Sequence, residues 1–370
     1  MLSLLASCLL AGASYRSHFP LPGQRVPDGW GVNIHFTQEQ PGELARIAKV
    51  FKWVRMDFVW SDIEKTRGQY DFSAYDTLMK GLDANGLRGY FIFDYGNDLY
   101  QDGSPATDDA RAAFCRFVEA SLKHFRHQGI VWEMWNEPNI GFWKPKPDVS
   151  QYAKLALDVG KTIRRVAPDE WYIGPASSTF DWNFIKGCFD AGLLTYWDAV
   201  SIHPYRPGPP ESVLDDWKKL ATLIGTYHKH LPMISGEWGY SDIWSGQSPQ
   251  VQGDFMVRQY LTNLSAGVGL SIYYDWKDDG TSPTDSESHF GTNTNHGASK
   301  PAYDEAAALV AKLQGYSFGK RLPTDSPDDF VLRFSNRHRP VVVTWTAGAP
   351  HKLQNSSMTV YFTNRPVAWP

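Results

Sequence analysis

Short apolar runs alternate with amphipathic segments along most of the chain. Eight runs rich in Ile, Val, Tyr, Phe and Trp lie at 31–36, 53–60, 89–94, 130–135, 171–176, 199–204, 232–237 and 270–276. Each run is only a few residues long, as is typical of strands buried in a parallel sheet. The pattern therefore predicts eight strands separated by helices.

Helical periodicity appears between these runs, where apolar residues recur at i, i+3, i+4 and i+7. The clearest repeats are Leu44, Ile47, Ala48 and Phe51; Tyr75, Leu78, Met79 and Leu82; Tyr152, Leu155, Ala156, Val159 and Ile163; Val213, Trp217, Leu220, Ala221 and Ile224; and Tyr303, Ala306, Val310 and Leu313. We interpret these stripes as core packing. Eight strand–helix units in a row predict an α/β fold, a closed (β/α)8 TIM barrel. An open doubly wound sheet would need a nucleotide-binding loop after its first strand, and neither GxGxxG nor a Walker sequence occurs there.

The sequence changes character after Gly315. Residues 330–334 and 340–345 read as strands around a turn at 336–339, and 358–362 as a third strand. We therefore expect the barrel to occupy residues 15–315 and a small β-strand appendage to occupy 316–370.

The first 14 residues are apolar and too short to span a bilayer. They resemble the apolar part of a signal peptide, with small residues at 11–13 as a cleavage site, and residues 5–8 also resemble a lipoprotein box. The alternative is an apolar segment packed on the domain. We expect export to the periplasm, the cell exterior or a lipid anchor, while a cytoplasmic location stays open.

The composition restricts the classes of molecule that the protein is expected to bind. The net charge is −4 and both signs are interspersed, so we expect neither nucleic acid nor an anionic membrane as a partner. The 15 Trp, 18 Tyr and 20 Phe fit either a core of large side chains or faces on which sugars stack. The three cysteines Cys8, Cys115 and Cys188 have no metal-type spacing, so we expect no metal or other cofactor. Cys115 and Cys188 fall on the third and fifth barrel helices, which argues against a disulfide. The oligomeric state is left open.

Two glutamates stand where reactive groups are expected in such a barrel, at the carboxyl ends of strands. The fourth strand runs into Trp135-Asn136-Glu137-Pro138-Asn139, and the seventh into Ser235-Gly236-Glu237-Trp238-Gly239. Retaining glycoside hydrolysis needs two carboxyls about 5–5.5 Å apart. One gives a proton to the departing oxygen, and the other attacks the anomeric carbon.

In these two motifs the chain resembles clan A of the glycoside hydrolases, family 39 most closely and family 5 next. The segments at 276–280 and 300–303 add to the resemblance, which covers about residues 30–315. It implies a retaining β-glycoside hydrolase that cleaves a β-linked oligo- or polysaccharide by double displacement. Glu137 would be the acid/base and Glu237 the nucleophile.

The resemblance also implies substrate-binding residues around this pair. Asn136 would hydrogen-bond the sugar 2-hydroxyl and Arg55 would keep Glu237 ionised. The other members of the expected binding set are His203 and Tyr205, which would orient Glu237 or contact the sugar; Trp276, the platform under the cleaved sugar; His35, which could reach the same pocket; and Trp143, at a leaving-group subsite.

Plainer interpretations stay open beside these. Arg55 could neutralise Asp57, Trp276 could belong to the core, and His203 and Tyr205 could be satisfied barrel-mouth residues. The long polar loop at 278–300 is a candidate binding lid. A transglycosidase would use the same two glutamates, and a non-catalytic glycan-binding barrel would be expected to lack one of them. The sequence identifies neither the sugar nor endo or exo action.

Overall fold

The barrel is formed by eight parallel strands that close in chain order, from β1 to β8. The structure, a computed structural model, describes residues 19–337, 339–354 and 359–369. The strands are β1 Trp30–Asn33, β2 Trp53–Val59, β3 Arg88–Asp94, β4 Val131–Met134, β5 Trp171–Ser178, β6 Ala199–His203, β7 Met233–Trp238 and β8 Leu270–Tyr273. Closure comes from pairing of β1 with β8, in which Trp30 lies opposite Ser271. The predicted α/β class and TIM barrel are confirmed.

The inside of the barrel is filled with side chains. One apolar cluster takes members from seven strands, namely Trp53, Tyr90, Val131, Ile173, Ala199, Ile234, Leu270 and Ile272. Such filling makes the barrel a packed core with no pore through it, so ligands can only enter at its ends.

Helices cover the outside of the barrel. In the described residues they are α1 Glu43–Ile47, α2 Trp60–Ile63, α3 Ser73–Ala84, α4 Asp108–His124, α5 Val149–Val166, α6 Trp182–Asp190, α7 Leu214–Thr226, α8 Pro249–Ser265 and α9 Pro301–Leu313. Side-chain caps fix several starts: Thr107 accepts from the Ala110 amide before α4, and Asp148 accepts from Ser150 and Gln151 before α5. The predicted stripe from Leu44 to Phe51 runs past α1, which ends at Ile47.

A small antiparallel sheet follows the last barrel helix. It contains β9 Ser317–Arg321, β10 Asp329–Ser335, β11 Pro340–Thr346 and β14 Val367–Trp369 in the order β14-β11-β10-β9, while β12 His351–Gln354 pairs with β13 Thr359–Phe362. The strands expected at 330–334 and 340–345 are present. Met358, at the start of the third expected strand, lies outside the described residues, and β13 begins at Thr359.

A buried ionic contact joins this sheet to the barrel. The Trp345 indole on β11 donates to Glu211 Oε1 at 2.6 Å, and Arg258 on α8 donates to both Glu211 oxygens at 2.7 and 2.6 Å. All three residues are buried. The contact therefore ties the appended strands to the wall of the barrel through one shared carboxylate.

Two further expectations from the sequence concern the cysteines and the apolar N-terminal segment. Cys115 lies on α4 and Cys188 on α6, the third and fifth barrel helices as expected, and both are free. Residues 1–14, including Cys8, lie outside the described residues, so export stays a prediction. No helix among the described residues is long and apolar enough to cross a membrane.

Candidate active site

A cavity of about 500 Å³ opens at the carboxyl ends of the barrel strands. Its lining includes Asn33 from β1, Arg55 and Asp57 from β2, and Glu237 from β7. Asn136, Glu137 and Tyr205 join them from the segments directly after β4 and β6. The cavity therefore gathers most of the residues that the sequence assigns to one site, from strands far apart in the chain.

The two predicted catalytic glutamates meet in this cavity. An oxygen of Glu137, an oxygen of Glu237 and a ring nitrogen of His203 all lie within 4.8 Å of one another. The two glutamates are only 7% and 8% exposed. Retaining enzymes hold their carboxyls about 5–5.5 Å apart, whereas inverting enzymes leave roughly 6.5–9.5 Å for a water molecule. The spacing fits direct attack on a sugar carbon.

The backbone after β4 aims Glu137 into the cavity. Trp135 and Glu137 have φ values of 62° and 43°, in the left-handed region that L-residues seldom adopt. The turn is held by the Glu137 amide, which donates to the Ala176 carbonyl at 3.1 Å. At the tip of the side chain, Oε1 lies 3.2 Å from His203 Nδ1.

Glu237 is surrounded by donors. The Tyr205 hydroxyl donates to Oε1 at 2.7 Å, Asn33 Nδ2 donates to Oε2 at 3.0 Å, and Arg55 Nη1 also donates to Oε2. Burial by itself raises the pKa of Glu237, but the charge of Arg55 and these hydrogen bonds outweigh it and lower the pKa below its ordinary value. Glu237 is therefore ionised at neutral pH, as a nucleophile has to be.

Arg55 is fixed by a carboxylate that the sequence analysis missed. Glu133 on β4 accepts from Arg55 Nε at 2.9 Å and Nη2 at 2.7 Å, and from the Tyr90 hydroxyl at 2.6 Å. Burial raises the pKa of Glu133, but the charge of Arg55, together with His203 3.9 Å away, holds it at about 2. Arg55 thus pairs with Glu133 and Glu237 rather than with Asp57. The signal in the sequence that could have identified Glu133 is its position as a charged residue within the otherwise apolar run Val131–Met134.

His203 does not do what the sequence suggested. It is completely buried, does not line the cavity, and bonds Glu137 rather than Glu237. Burial and Arg55 lower its pKa, while the carboxylates of Glu133, 3.9 Å away, and Glu137, 3.2 Å away, more than compensate and raise it to about 9. His203 therefore positions the expected acid/base from behind, and of the two residues it is Tyr205 that bonds Glu237.

The structure places Trp143 and Trp276 outside the cavity, and Trp276 belongs to the core, the alternative left open for it. Trp143 is fully buried, with its ring 5.0 Å from that of Trp135, and the neighbouring Phe142, 44% exposed, lines the cavity instead. Trp276 is 3% exposed and its indole donates to Glu43 at 2.8 Å, outside this cavity. Regular strand structure ends at Tyr273, so the alternation of β8 does not decide where Trp276 points.

His35 lies at the rim of the cavity as expected. Its Nδ1 is 2.8 Å from Asp279 Oδ1 and 4.0 Å from Asp275 Oδ2. Glu287 and Phe290, from the loop at 278–300, line the cavity from the same side. His35, Asp275 and Asp279 are close enough for one ion to touch all three, but His35 and Asp279 already satisfy each other. Between Glu137 and Glu237, the Arg55 charge would repel a metal ion.

Comparison with known proteins shows the fold. No family model matches the chain, and no curated protein does. A family 39 glycoside hydrolase from Bacteroides cellulosilyticus superimposes with a TM-score of 0.79 at 22% identity, over 92% of this chain and 80% of that one. A family 39 β-xylosidase from Caulobacter crescentus gives 0.67 at 20% identity over 92% and 82%. A family 30 endoxylanase from Clostridium papyrosolvens gives 0.64 at 13% identity over 95% of each chain. The chain thus shares its architecture with structures from the family that its glutamate motifs resemble.

Proposed function

We propose that the protein is a retaining β-glycoside hydrolase, with Glu237 as the nucleophile and Glu137 as the acid/base. The observation that carries the proposal is the pair of buried carboxylates, within 4.8 Å of each other at the mouth of one barrel. Only Glu237 is bound by Arg55. The two groups are therefore chemically unequal, which the two roles require.

The proposed reaction has two steps. Glu237 attacks the anomeric carbon and forms a glycosyl ester, while Glu137 transfers its proton to the departing glycosidic oxygen. In the second step Glu137 takes a proton from water, and that water oxygen displaces Glu237 from the sugar. Asn136 lines the cavity beside Glu137, where its amide can reach the sugar 2-hydroxyl.

The substrate class is a β-linked oligo- or polysaccharide. Solved structures with this fold carry names as different as β-xylosidase, exo-β-1,4-mannosidase and endoxylanase, so the sugar is left open. Export of the enzyme, proposed from the apolar segment at 1–14, would give it access to such polymers.

The nucleophile can be tested by chemical rescue. We expect Glu237→Ala to abolish turnover of an activated aryl β-glycoside, and added azide to restore it while yielding the α-glycosyl azide. The product anomer is read by NMR. Glu119→Ala, on α4 and away from the cavity, is the control and should keep normal turnover. Ordinary activity in Glu237→Ala would reject the assignment.

The role of the acid/base can be distinguished from that of the nucleophile by varying the leaving group of the substrate. We expect Glu137→Ala to slow substrates with poor leaving groups by about 10²–10⁴-fold and activated ones far less, because only the former need a proton. The measurement is kcat/KM over a series of aryl glycosides. Equal losses across the series would exclude an acid role.

Two other functions are decided by the same assays. A transglycosidase would use the same glutamates and give longer products in the presence of an acceptor sugar. A non-catalytic glycan-binding barrel would bind sugars with no turnover, but it offers no reason for both carboxylates and the Arg55–Tyr205–Asn33 set around Glu237.

A further inference from the structure

An apolar surface lines the cavity beside the loop that carries Glu137. Ile140 and Phe142 follow Glu137 closely in the chain, line the cavity and are 38% and 44% exposed. In the part of the chain that the structure describes, only five large apolar side chains are exposed, and these two share one cavity. Exposed apolar surface inside a cavity is typical of a site that a ligand covers. Ile140 and Phe142 are called here the apolar wall.

The apolar wall is held in place by its neighbours. The Ile140 amide donates to the Glu137 carbonyl at 3.1 Å, and the Trp135 indole donates to the Phe142 carbonyl at 3.2 Å. The Phe142 ring stacks on that of Tyr95, which also lines the cavity, with centroids 5.9 Å apart and an angle of 18° between the rings. The wall therefore belongs to the same turn that carries the proposed acid/base.

The surroundings of the other carboxylate are polar. Asn33, Arg55 and Tyr205 all line the cavity and all donate to Glu237. A sugar bound over Glu237 therefore meets groups that can bond its hydroxyls. A group bound beside the apolar wall meets mainly carbon, so the two sides of the cavity favour ligand parts of different chemistry.

Two further residues border the side of the apolar wall. Trp244, from the loop after β7, lines the cavity and packs edge-on against Phe290, with ring centroids 5.1 Å apart. Ser178, the last residue of β5, lines the cavity too, and the Asn139 side chain accepts from its amide at 2.8 Å. A sugar placed here would bring several hydroxyls to a surface with few partners for them, whereas an apolar group leaves no hydroxyl unpaired.

The proposed reaction places the leaving group beside the apolar wall. Glu137 gives its proton to the glycosidic oxygen, so the group carried by that oxygen departs on the Glu137 side of the cavity. Glu237 attacks the anomeric carbon from the other face. Because the apolar wall is continuous with the turn that bears Glu137, it belongs to the leaving-group side of the cavity.

We propose that Ile140 and Phe142 bind an apolar leaving group, so that glycosides of aromatic or branched alcohols and of phenols are a further substrate class beside saccharides. The proposal rests on the proposed function and adds this class to it. In the first step the glycosidic C–O bond breaks, the aglycone oxygen takes the proton of Glu137, and the free alcohol departs. The sugar stays on Glu237 as the glycosyl ester. Contact with the wall removes the aglycone from water before and during this step, so its effect is expected in kcat/KM.

Leaving groups of nearly equal acidity test the apolar wall without changing the chemistry. The probes are the 2-phenylethyl and ethyl β-glycosides of glucose, galactose, mannose and xylose, compared within each sugar. We expect kcat/KM to be about tenfold or more higher for the 2-phenylethyl glycoside, because its phenyl group is removed from water. Equal values for the two leaving groups would overturn the proposal.

Substitution links this preference to the apolar wall. Phe142→Ala should lower the ratio of the two kcat/KM values about tenfold. Leu353→Ala is the matched control and should keep the wild-type ratio, because Leu353 is also 44% exposed but lies on β12, outside the cavity. If Phe142→Ala does not fold, Ile140→Thr, which keeps the branch and adds a hydroxyl, decides in its place by a fall in the same ratio. An unchanged ratio in the folded variant would reject the role.

A sugar bound on the apolar wall would give a different result. Phe142→Ala would then slow the β-1,4-linked disaccharide of the same sugar and leave the ratio of 2-phenylethyl to ethyl glycoside unchanged, which would overturn the proposal. A fall in that ratio supports an apolar leaving group, whatever the effect on the disaccharide.

Binding of thioglycosides, which resist hydrolysis, distinguishes failure here from failure of the proposed function. Calorimetry with the 2-phenylethyl and ethyl 1-thio-β-glycosides of the same sugars should show the same preference of about tenfold. That preference in a protein that turns over no glycoside would keep the apolar wall and discard the hydrolase. Turnover with azide rescue but no preference in binding would keep the hydrolase and discard the apolar wall.

Discussion

At the scale of single residues, Arg55 organises the site. One buried guanidinium bonds Glu133, Glu237 and Asn136, so it fixes the proposed nucleophile and the amide beside the proposed acid/base together. Its fork of donors is what allows several acceptors to be served at fixed angles, and a lysine ammonium could not reproduce this. Glu133 is equally important because it holds the guanidinium in place from below.

Tyr205 gives the sharpest test at this scale. Its hydroxyl donates to Glu237 Oε1 at 2.7 Å and helps to lower the pKa of that carboxyl. Tyr205→Phe removes a bond that favours the ionised form, so the pKa of Glu237 should rise. We expect the acidic limb of kcat/KM to move to higher pH by about one unit, and kcat/KM to fall about tenfold or more.

The pH profile distinguishes this role from loss of structure. Tyr227→Phe, which removes a similar bond to Asp190 on the outer surface, is the control and should leave the profile unchanged. An acidic limb that stays in place in Tyr205→Phe would show that the hydroxyl does not tune Glu237.

At the scale of elements, the sequence predicted the strands that have a regular apolar pattern. It did not predict the elements and side chains that depart from such a pattern. Apolar runs predicted all eight barrel strands, and the barrel rule then placed Glu137 and Glu237 at one mouth. Three strands after the barrel, β9, β12 and β14, were missed, because β9 and β12 contain few apolar residues and β14 is only three residues long. The burial of Trp143 was missed, and that of Trp276 was left as an alternative, because both follow strand ends, where local loop packing decides the direction of a side chain.

The long loop after β8 is held by one buried lysine. Lys300 Nζ lies 3.0 Å from Asp278 Oδ1 and 2.9 Å from Asp242 Oδ2, which joins the loops after β7 and β8. We expect Lys300→Met to leave Asp278 without its cation and to lower the free energy of unfolding by about 3–5 kcal/mol. Hydrogen exchange across residues 278–300 should accelerate in the same variant.

Lys312→Met is the matched control, because Lys312 is exposed on α9 and makes no comparable contact with the part of the chain that the structure describes. It should change the unfolding free energy by less than about 0.5 kcal/mol. Equal behaviour of the two variants would mean that Lys300 does not anchor this loop.

At the scale of the whole molecule, the appended sheet is attached through Glu211. Trp345→Phe removes the indole donor to that carboxylate, which Arg258 continues to bind. We expect a loss of about 1.5–3 kcal/mol in urea unfolding, with kcat unchanged because the contact is on the outside of the barrel.

Trp369→Phe serves as the comparison, because its indole donates at 2.8 Å to the neutral hydroxyl of Thr344 in the same sheet. The loss there should be smaller. If Trp345→Phe proves no more harmful than Trp369→Phe, the carboxylate does not anchor the sheet.

At Glu137 the left-handed backbone conformation favours glycine, whereas the proposed chemistry requires a carboxyl side chain. Glycine, which has no Cβ, adopts such a conformation freely, whereas an L-residue such as glutamate gives up about 1 kcal/mol to do so. Replacing Glu137 by glycine would therefore silence the proposed acid/base and relax the chain at once. Selection for stability alone would therefore favour a substitution that selection for activity would eliminate.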